Sequence, residues 1–480
     1  MQANSTRRLV VVSGGDQVVG HVGLHALGAF ADRLGLGNAL SARIPLRGER
    51  MPMHDRGKVL VQSMLMLAGG GESCADIEHL RAQEDLFGST PSDSTVFRTF
   101  HEIAPATRDA LAEAFAQVRA EVWRRSAATK AAPVTLDIDA SLVEIHTETK
   151  EGTGPHYKGG WGYHPMFCFA DATGEALSGL LRPGNAGANT VADHVRVLDA
   201  AVAQLPAEIA LGHGAGDDGA LVVHPLVVRT DSAGCTHGFV WAARARNIGF
   251  FVVARSNAQV HAAIFDTVGL DEIWEPAVHQ DGSPREGAAV ADLSELVDLS
   301  EWPPGTRLIV RREPLHPGAQ HSLFPSLEFR YWGHYSDQDG EAVELDKTMR
   351  AHAHVELHIE RLKDSGLLAF PFSDLEGEPD LDGDGHDGRR LGALVPAALP
   401  RRQLGQGTAQ GVALGALPCP RTTRAFRAPP RRAHPGRLAQ CRCAARRLSK
   451  TRRHRLNDLA SGQWASTVLR RVPNDLPGPK

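Results

Sequence analysis

The stretch Pro133-Val-Thr-Leu-Asp137-Ile-Asp139-Ala-Ser141-Leu-Val-Glu-Ile145 decides the fold. Val134, Leu136, Ile138 and Ala140 alternate with Thr135, Asp137, Asp139 and Ser141. Period-two alternation marks a β-strand, whose side chains point to opposite faces in turn. Asp137 and Asp139 therefore share one face, each beside apolar neighbours. A carboxylate in mid-sheet is costly to bury without a partner. On this stretch alone two readings stay open: an acidic face that holds a divalent cation, or a half-exposed strand whose acidic face is wet.

Downstream, Gly152, Gly154, Gly159, Gly160 and Gly162 mark a hairpin-like excursion. Strands are expected over Met166–Asp171 and Ala176–Arg182, the second stopped by Pro183-Gly184. Asn189–Gln204 has a helical apolar stripe of Val191, Val195, Leu198 and Val202. An apolar strand, Pro225–Asp231, ends on a carboxylate. A helix over His237–Asn247 and a buried strand over Gly249–Ala254 follow. The order β-β-β-α-β-α-β predicts an α/β domain, a mixed sheet flanked by helices. In a ribonuclease-H-like sheet of this order, Asp139 on the first strand and Asp231 at the end of the fourth are neighbours.

Upstream, residues 1–130 read as a helical domain. Val59, Ser63, Leu65 and Met66 recur at helical spacing until Gly69-Gly70-Gly71 breaks the pattern. Ser73 is placed to cap a helix over Cys74–Gln83, and Ser92 or Ser94 to cap another, with Phe97, Phe100 and Ile103 on one face. The second of these helices carries Arg98 and His101, which suits either a DNA groove or an ordinary helical bundle. Residues 256–345 lose helical periodicity and read as a β-rich insertion. Helical pattern resumes over Asp346–Lys363, which carries Glu356, Glu360 and Lys363.

Six scattered cysteines suggest a reducing, cytoplasmic setting without a disulfide framework, and no apolar run approaches a membrane span. The net charge of −4 hides an asymmetry. Residues 389–480 hold 20 Lys+Arg against 2 Asp+Glu, leaving 32 basic and 54 acidic residues before them.

Taken together, Thr135-Leu-Asp-Ile-Asp139-Ala-Ser, Phe169-Ala-Asp-Ala-Thr-Gly174, Leu181-Arg-Pro-Gly-Asn185-Ala-Gly-Ala-Asn189, Val228-Arg-Thr-Asp231-Ser and Val355-Glu356-x6-Lys363-Asp resemble a DDE transposase of bacterial insertion sequences (transposase DDE domain, group 1). The resemblance spans roughly residues 20–376. It implies a ribonuclease-H-like core and metal-dependent DNA cleavage and strand transfer, with two Mg2+ or Mn2+ ions between three carboxylates. Hard cations take oxygen ligands, which is why Asp and Glu carry the expectation rather than the histidines. It also implies double-stranded DNA partners (terminal inverted repeats and target) and a homodimer in a synaptic complex. Carried over by residue, the triad is Asp139, Asp231 and Glu356, with Asp137 and Glu360 as alternatives. Lys363 is expected on a DNA phosphate. In relatives a Tyr and an Arg precede the Glu by seven and four residues. Met349 and His352 hold those places here, which brings Arg350 forward as a substitute. Trp302 or Trp332 is available to stack on a flipped base, or to pack in the core. His354 and His358 have the i,i+4 spacing of a zinc pair, but no third ligand is evident. Arg182 and Asn185 are expected to stabilise a turn.

The expected organisation is therefore a helical DNA-binding domain over 1–130, a first part of the catalytic core over 131–255, the β-rich insertion over 256–345, the Glu-bearing helix over 346–376 and a basic tail over 377–480. That tail does not look selected to fold. Residues 389–480 contain no Ile and no Tyr, and only Phe426 and Trp464 as large aromatics. The codons for Gly377–Gly385, read one base later, permit Ala-Asn-Arg-Thr-Trp-Met-Ala-Met, so a frameshift near 376–377 is expected. The rivals to an active transposase are a metal-dependent nuclease of the same fold, an inactive remnant that only binds terminal inverted repeats, and a structural or regulatory DNA-binding protein; the alternative to the frameshift is a genuine basic tail that grips DNA phosphates.

Overall fold

The computed structural model describes residues 10–13, 21–45, 52–126, 133–146, 150–207, 209, 226–315, 329–368 and 467–470. The chain divides into two units, one of residues 1–22 with 417–480 and one of residues 23–416. In the first, Val10–Ser13 (β1) pairs antiparallel with Thr467–Arg470 (β14), Val10 opposite Arg470. A strand thus stands inside a segment expected to be helical. Its Val-Val-Val run is β-branched, which favours extended backbone. The expected frameshift point and nearly all of the tail lie outside the described residues.

The second unit begins with helices: Val22–Arg33 (α1), Leu36–Ser41 (α2), Arg56–Ala68 (α3), Glu78–Arg81 (α4), Glu84–Phe87 (α5), Asp93–His101 (α6) and Pro105–Arg125 (α7). Sequence signals set the ends of several. Asp55 caps α3 by accepting from the Lys58 amide at 2.9 Å, and Gly69 follows its last residue. Ser73 and Asp76 form a reciprocal capping box at a 3-10 turn, Cys74–Ile77, leading into α4. Ser92 caps α6 through the Thr95 amide. Leu40, Val59, Leu60, Ile77, Leu80, Val96 and Leu111 make the helical core. Of the three apolar residues expected on one face of α6, Phe97 is exposed and stacks on His101 at 5.7 Å.

The quoted stretch forms strand Val134–Ala140 (β2). Beyond it, Val143–Glu144 (β3), Gly154–Pro155 (β4) and Trp161–Tyr163 (β5) build a small sheet in the order β3-β5-β4. Then come Met166–Ala170 (β6), Glu175–Leu180 (β7), helix Val191–Val202 (α8), Leu226–Thr230 (β8), helix His237–Ala245 (α9) and Gly249–Val253 (β9). Helix Ala258–Asp266 (α10) precedes Glu275–Val278 (β10), Pro284–Asp292 (β11), Arg307–Pro314 (β12) and Phe329–Ser336 (β13). The main sheet has nine strands in the order β10-β11-β12-β13-β9-β8-β2-β6-β7. β2, β8 and β9 run parallel, and β6 is antiparallel to β2. The five strands at one end, β7-β6-β2-β8-β9, have the ribonuclease-H-like order. The β-rich insertion extends this same sheet, because β13 pairs antiparallel with β9. It also opens with α10, whose periodicity is too brief to stand out; Asn257 caps it through the Val260 amide at 2.9 Å.

The alternation in β2 sorts the two faces. Leu136 and Ile138, with Val228, Phe250 and Val252, pack under α8 and α9 in the largest core cluster. The odd-numbered residues face the other way. There Val227 and Phe251 meet Leu345 and Met349, while Phe167 and Phe169 meet Val355, Ile359 and Leu362. The expected single helix over 346–363 is two helices, Ala342–Arg350 (α11) and His354–Leu362 (α12), joined by a 3-10 turn at Ala351–Ala353 and followed by a π turn, Lys363–Leu367. Asp137 and Asp139 thus lie on the face that α11 and α12 cover.

Candidate active site

Asp139 sits near the end of β2, Asp231 follows the last residue of β8, and Glu356 lies in the first turn of α12. Parallel pairing of β2 with β8, Ile138 opposite Thr230, brings the two Asp residues to the same strand ends. Burial and the neighbouring Asp231 carboxylate, with a smaller push from Glu356, raise the Asp139 carboxyl to about 6 against the opposing pull of the Ala140 amide and His352. The Ala140 amide donates to Asp139 Oδ1 at 2.7 Å, and the Ala233 amide to Asp231 Oδ1 at 2.9 Å. Like charges gathered at a strand end, with amides steadying them, are a donor set that fits a hard divalent cation. Among the described residues no group of three or more His, Cys, Asp or Glu side chains closes round one point. Glu356 is exposed, and its charge acts on Asp139.

Asp137, the alternative ligand, is used differently. It is fully buried. Arg229, directly opposite it in the ladder, grips it as a fork, Nε to Oδ1 at 2.8 Å and Nη2 to Oδ2 at 2.7 Å. His352 Nδ1 adds a bond to Oδ1 at 2.8 Å. Burial alone would push the Asp137 carboxyl up; the hydrogen bonds from His352 and Arg229 outweigh it and hold it below the usual carboxylate value. With both oxygens taken, Asp137 belongs to the scaffold. Arg229 also reaches Asp171 Oδ2 at 3.1 Å and the Thr348 carbonyl at 2.7 Å. Asp171 Oδ1 in turn meets His354 Nδ1 at 2.9 Å. Sequence reading gave Arg229 no role. The signal available was an Arg at a buried alternation position, two residues before a candidate ligand.

The remaining candidates fall into place one by one. Glu360 is exposed one turn beyond Glu356. His354 and His358 do not form a metal pair: His354 is turned to Asp171, while His358 packs on Phe169 at 5.4 Å, its pKa driven down to about 4 by burial and by Arg361. Arg350 is engaged by protein partners, Asp346 at 2.8 Å and the Val278 carbonyl. Lys363 is half-buried at the start of the π turn. Arg98 is exposed on α6, its Nε bonded to the Ser94 carbonyl at 3.1 Å. Trp302 stacks on Tyr335 at 4.1 Å and meets His237 edge-on at 4.8 Å, so it is a packing residue. Trp332, by contrast with Trp302, is exposed and lies against Arg311 and Arg330. Arg182 does hold a turn: buried, it bonds the His164 carbonyl at 3.0 Å and both the Gly187 carbonyl and Asp193 at 3.1 Å.

A family model described as transposase DDE domain group 1 matches residues 1–365. No curated protein matches the sequence. Among solved structures, a piggyBac transposase synaptic complex with hairpin DNA is similar at 9% identity and a TM-score of 0.33, covering 74% of this chain and 70% of that one.

Proposed function

Because the chain belongs to the transposase DDE domain group 1 family, we propose that it cuts DNA at the ends of an insertion sequence and joins the freed 3′ ends to target DNA, with Asp139, Asp231 and Glu356 as its metal-binding carboxylates. The observation that carries this is the raised Asp139 carboxyl, pushed up by burial and by two like charges from distant parts of the chain. Two bound Mg2+ or Mn2+ ions would neutralise phosphate charge and lower the pKa of the attacking oxygen. The chain itself supplies position. β2 and β8 fix the two Asp residues at adjacent strand ends, and α12 brings Glu356 over the same face. Lys363 and Arg98 are the side chains we assign to phosphate contacts on double-stranded DNA. Two DNA ends brought together in one complex call for two copies of the chain.

The test uses the full chain. Calorimetric titration with Mn2+ should show binding that Asp139→Asn, Asp231→Asn and Glu356→Gln each weaken. The same substitutions should abolish metal-dependent nicking of duplex DNA. Unchanged Mn2+ binding in all of them would sink the triad. Cleavage without joining would favour the nuclease of the same fold. The gene with its flanks, read in all three frames past codon 360, decides the tail: inverted repeats and a second open frame after codon 376 support a frameshifted insertion-sequence transposase.

A further inference from the structure

We propose that Asp137, Arg229 and Asp171 form an ionic latch, buried at Asp137 and Arg229 and half-buried at Asp171, that sets the position of Glu356, with His352 and His354 as the positioning residues that engage it. The proposal rests on Glu356 being the third carboxylate of the site. Three bonds leave the cluster for the segment before Glu356, and they land close together. Arg229 Nη1 donates to the Thr348 carbonyl at 2.7 Å, His352 Nδ1 meets Asp137 at 2.8 Å, and His354 Nδ1 meets Asp171 at 2.9 Å. Their sequence separations are 119, 215 and 183 residues. The latch therefore joins the strands that carry the two Asp residues to the segment that carries Glu356.

Apolar packing alone would not fix Glu356. Leu345 and Met349, then Val355, Ile359 and Leu362, bind the segment to the sheet. Such contacts tolerate small slides and rotations, and one residue of slip turns an α-helix by about 100°. Directed, charge-assisted bonds do not tolerate it. The 3-10 turn between α11 and α12 is a second, independent observation. Mid-helix 3-10 stretches mark local strain or a functional hinge, and Met349-Arg-Ala-His-Ala-His-Val355 holds neither Pro nor Gly to account for it. In an unbroken helix His352 and His354 would point about 200° apart. The 3-10 turn at Ala351–Ala353 lets both reach carboxylates of the same cluster.

The experiment compares the full chain with the pair His352→Ala/His354→Ala, which spares the Asp137–Arg229–Asp171 core. Three quantities are read: amide hydrogen exchange, Mn2+ affinity by calorimetry, and thermal melting. The alanine pair should speed exchange across residues 354–362 about tenfold or more and weaken Mn2+ binding by about the same factor. The β2 and β8 amides should stay protected. The pair His352→Asn/His354→Asn, whose amide nitrogens can donate from the place of Nδ1, should restore most of both. Unchanged exchange over 354–362 overturns the latch. So does equal loosening of β2 and β8, or faster exchange with Mn2+ affinity intact. Glu356→Gln separates the two readings: it should weaken Mn2+ binding with normal exchange. If it leaves Mn2+ affinity unchanged, the carboxylate assignment fails, and the exchange comparison alone decides the latch.

Discussion

Asp137 gives its oxygens to Arg229 and His352, while Asp139, two residues on, meets the like charges of Asp231 and Glu356. Opposite responses to amide substitution follow. Asp137→Asn leaves the buried Arg229 guanidinium with the half-buried Asp171 carboxylate at 3.1 Å as its remaining ionic partner, so stability should fall by somewhat less than the ~3–5 kcal/mol of an uncompensated buried charge; denaturant unfolding should show the loss. Asp139→Asn removes repulsion. The folded Asp139 value of about 6 stands above the ordinary 3.8. Below both values each state holds the proton and the group contributes nothing. Between them only the folded state holds it, so stability falls as pH rises, and above the folded value the whole cost, roughly 3 kcal/mol, is present. Metal-free wild type should therefore lose stability relative to Asp139→Asn across that window, and added Mn2+ should erase the difference. Thermal melts at several pH values check both. The proposed triad could be put forward from sequence because Asp139 and Asp231 stand near the ends of strands that alternation marks, and Glu356 lies on a helix with a recognisable spacing to Lys363. The scaffold role of Asp137 could not, since nothing local distinguishes it from Asp139; the difference lies in Arg229, 92 residues away.

At the scale of elements, capping side chains made the helical region readable. Ser73 and Ser92 begin their elements where expected. Ser92→Ala should cost about 1 kcal/mol in denaturant unfolding. The 3-10 turn between α11 and α12 was not readable, because an Ala-His-Ala-His stretch is compatible with continuous α-helix. The small sheet beside Asp139 depends on close backbone approach. A Cβ on Gly162 would lie 2.1 Å from the Val143 carbonyl, and one on Gly184 2.4 Å from the Gly154 carbonyl. Gly162→Ala should open β3–β5 to limited proteolysis while the main sheet stays resistant.

Across the whole molecule, the three proposed carboxylates and the proposed latch precede residue 377, where the expected tail starts. A chain ended at residue 376 should keep Mn2+ binding within about twofold of the full chain by calorimetry; a larger loss would give the tail a part in the site. The strand-rich segment was legible as β-structure, yet its pairing to β9 was not, because period-two patterns tell which face a strand shows and not which edge it joins. The spacing of the latch partners has one more consequence, in the order of events during synthesis. Asp137 emerges from the ribosome long before His352, 215 residues later. At ordinary elongation rates that gap lasts roughly 10–40 s. Throughout it the nascent sheet carries Asp139 and then Asp231 without Glu356. On the proposed reading, a growing chain cannot cut DNA until nearly the last helix of its catalytic region has been made.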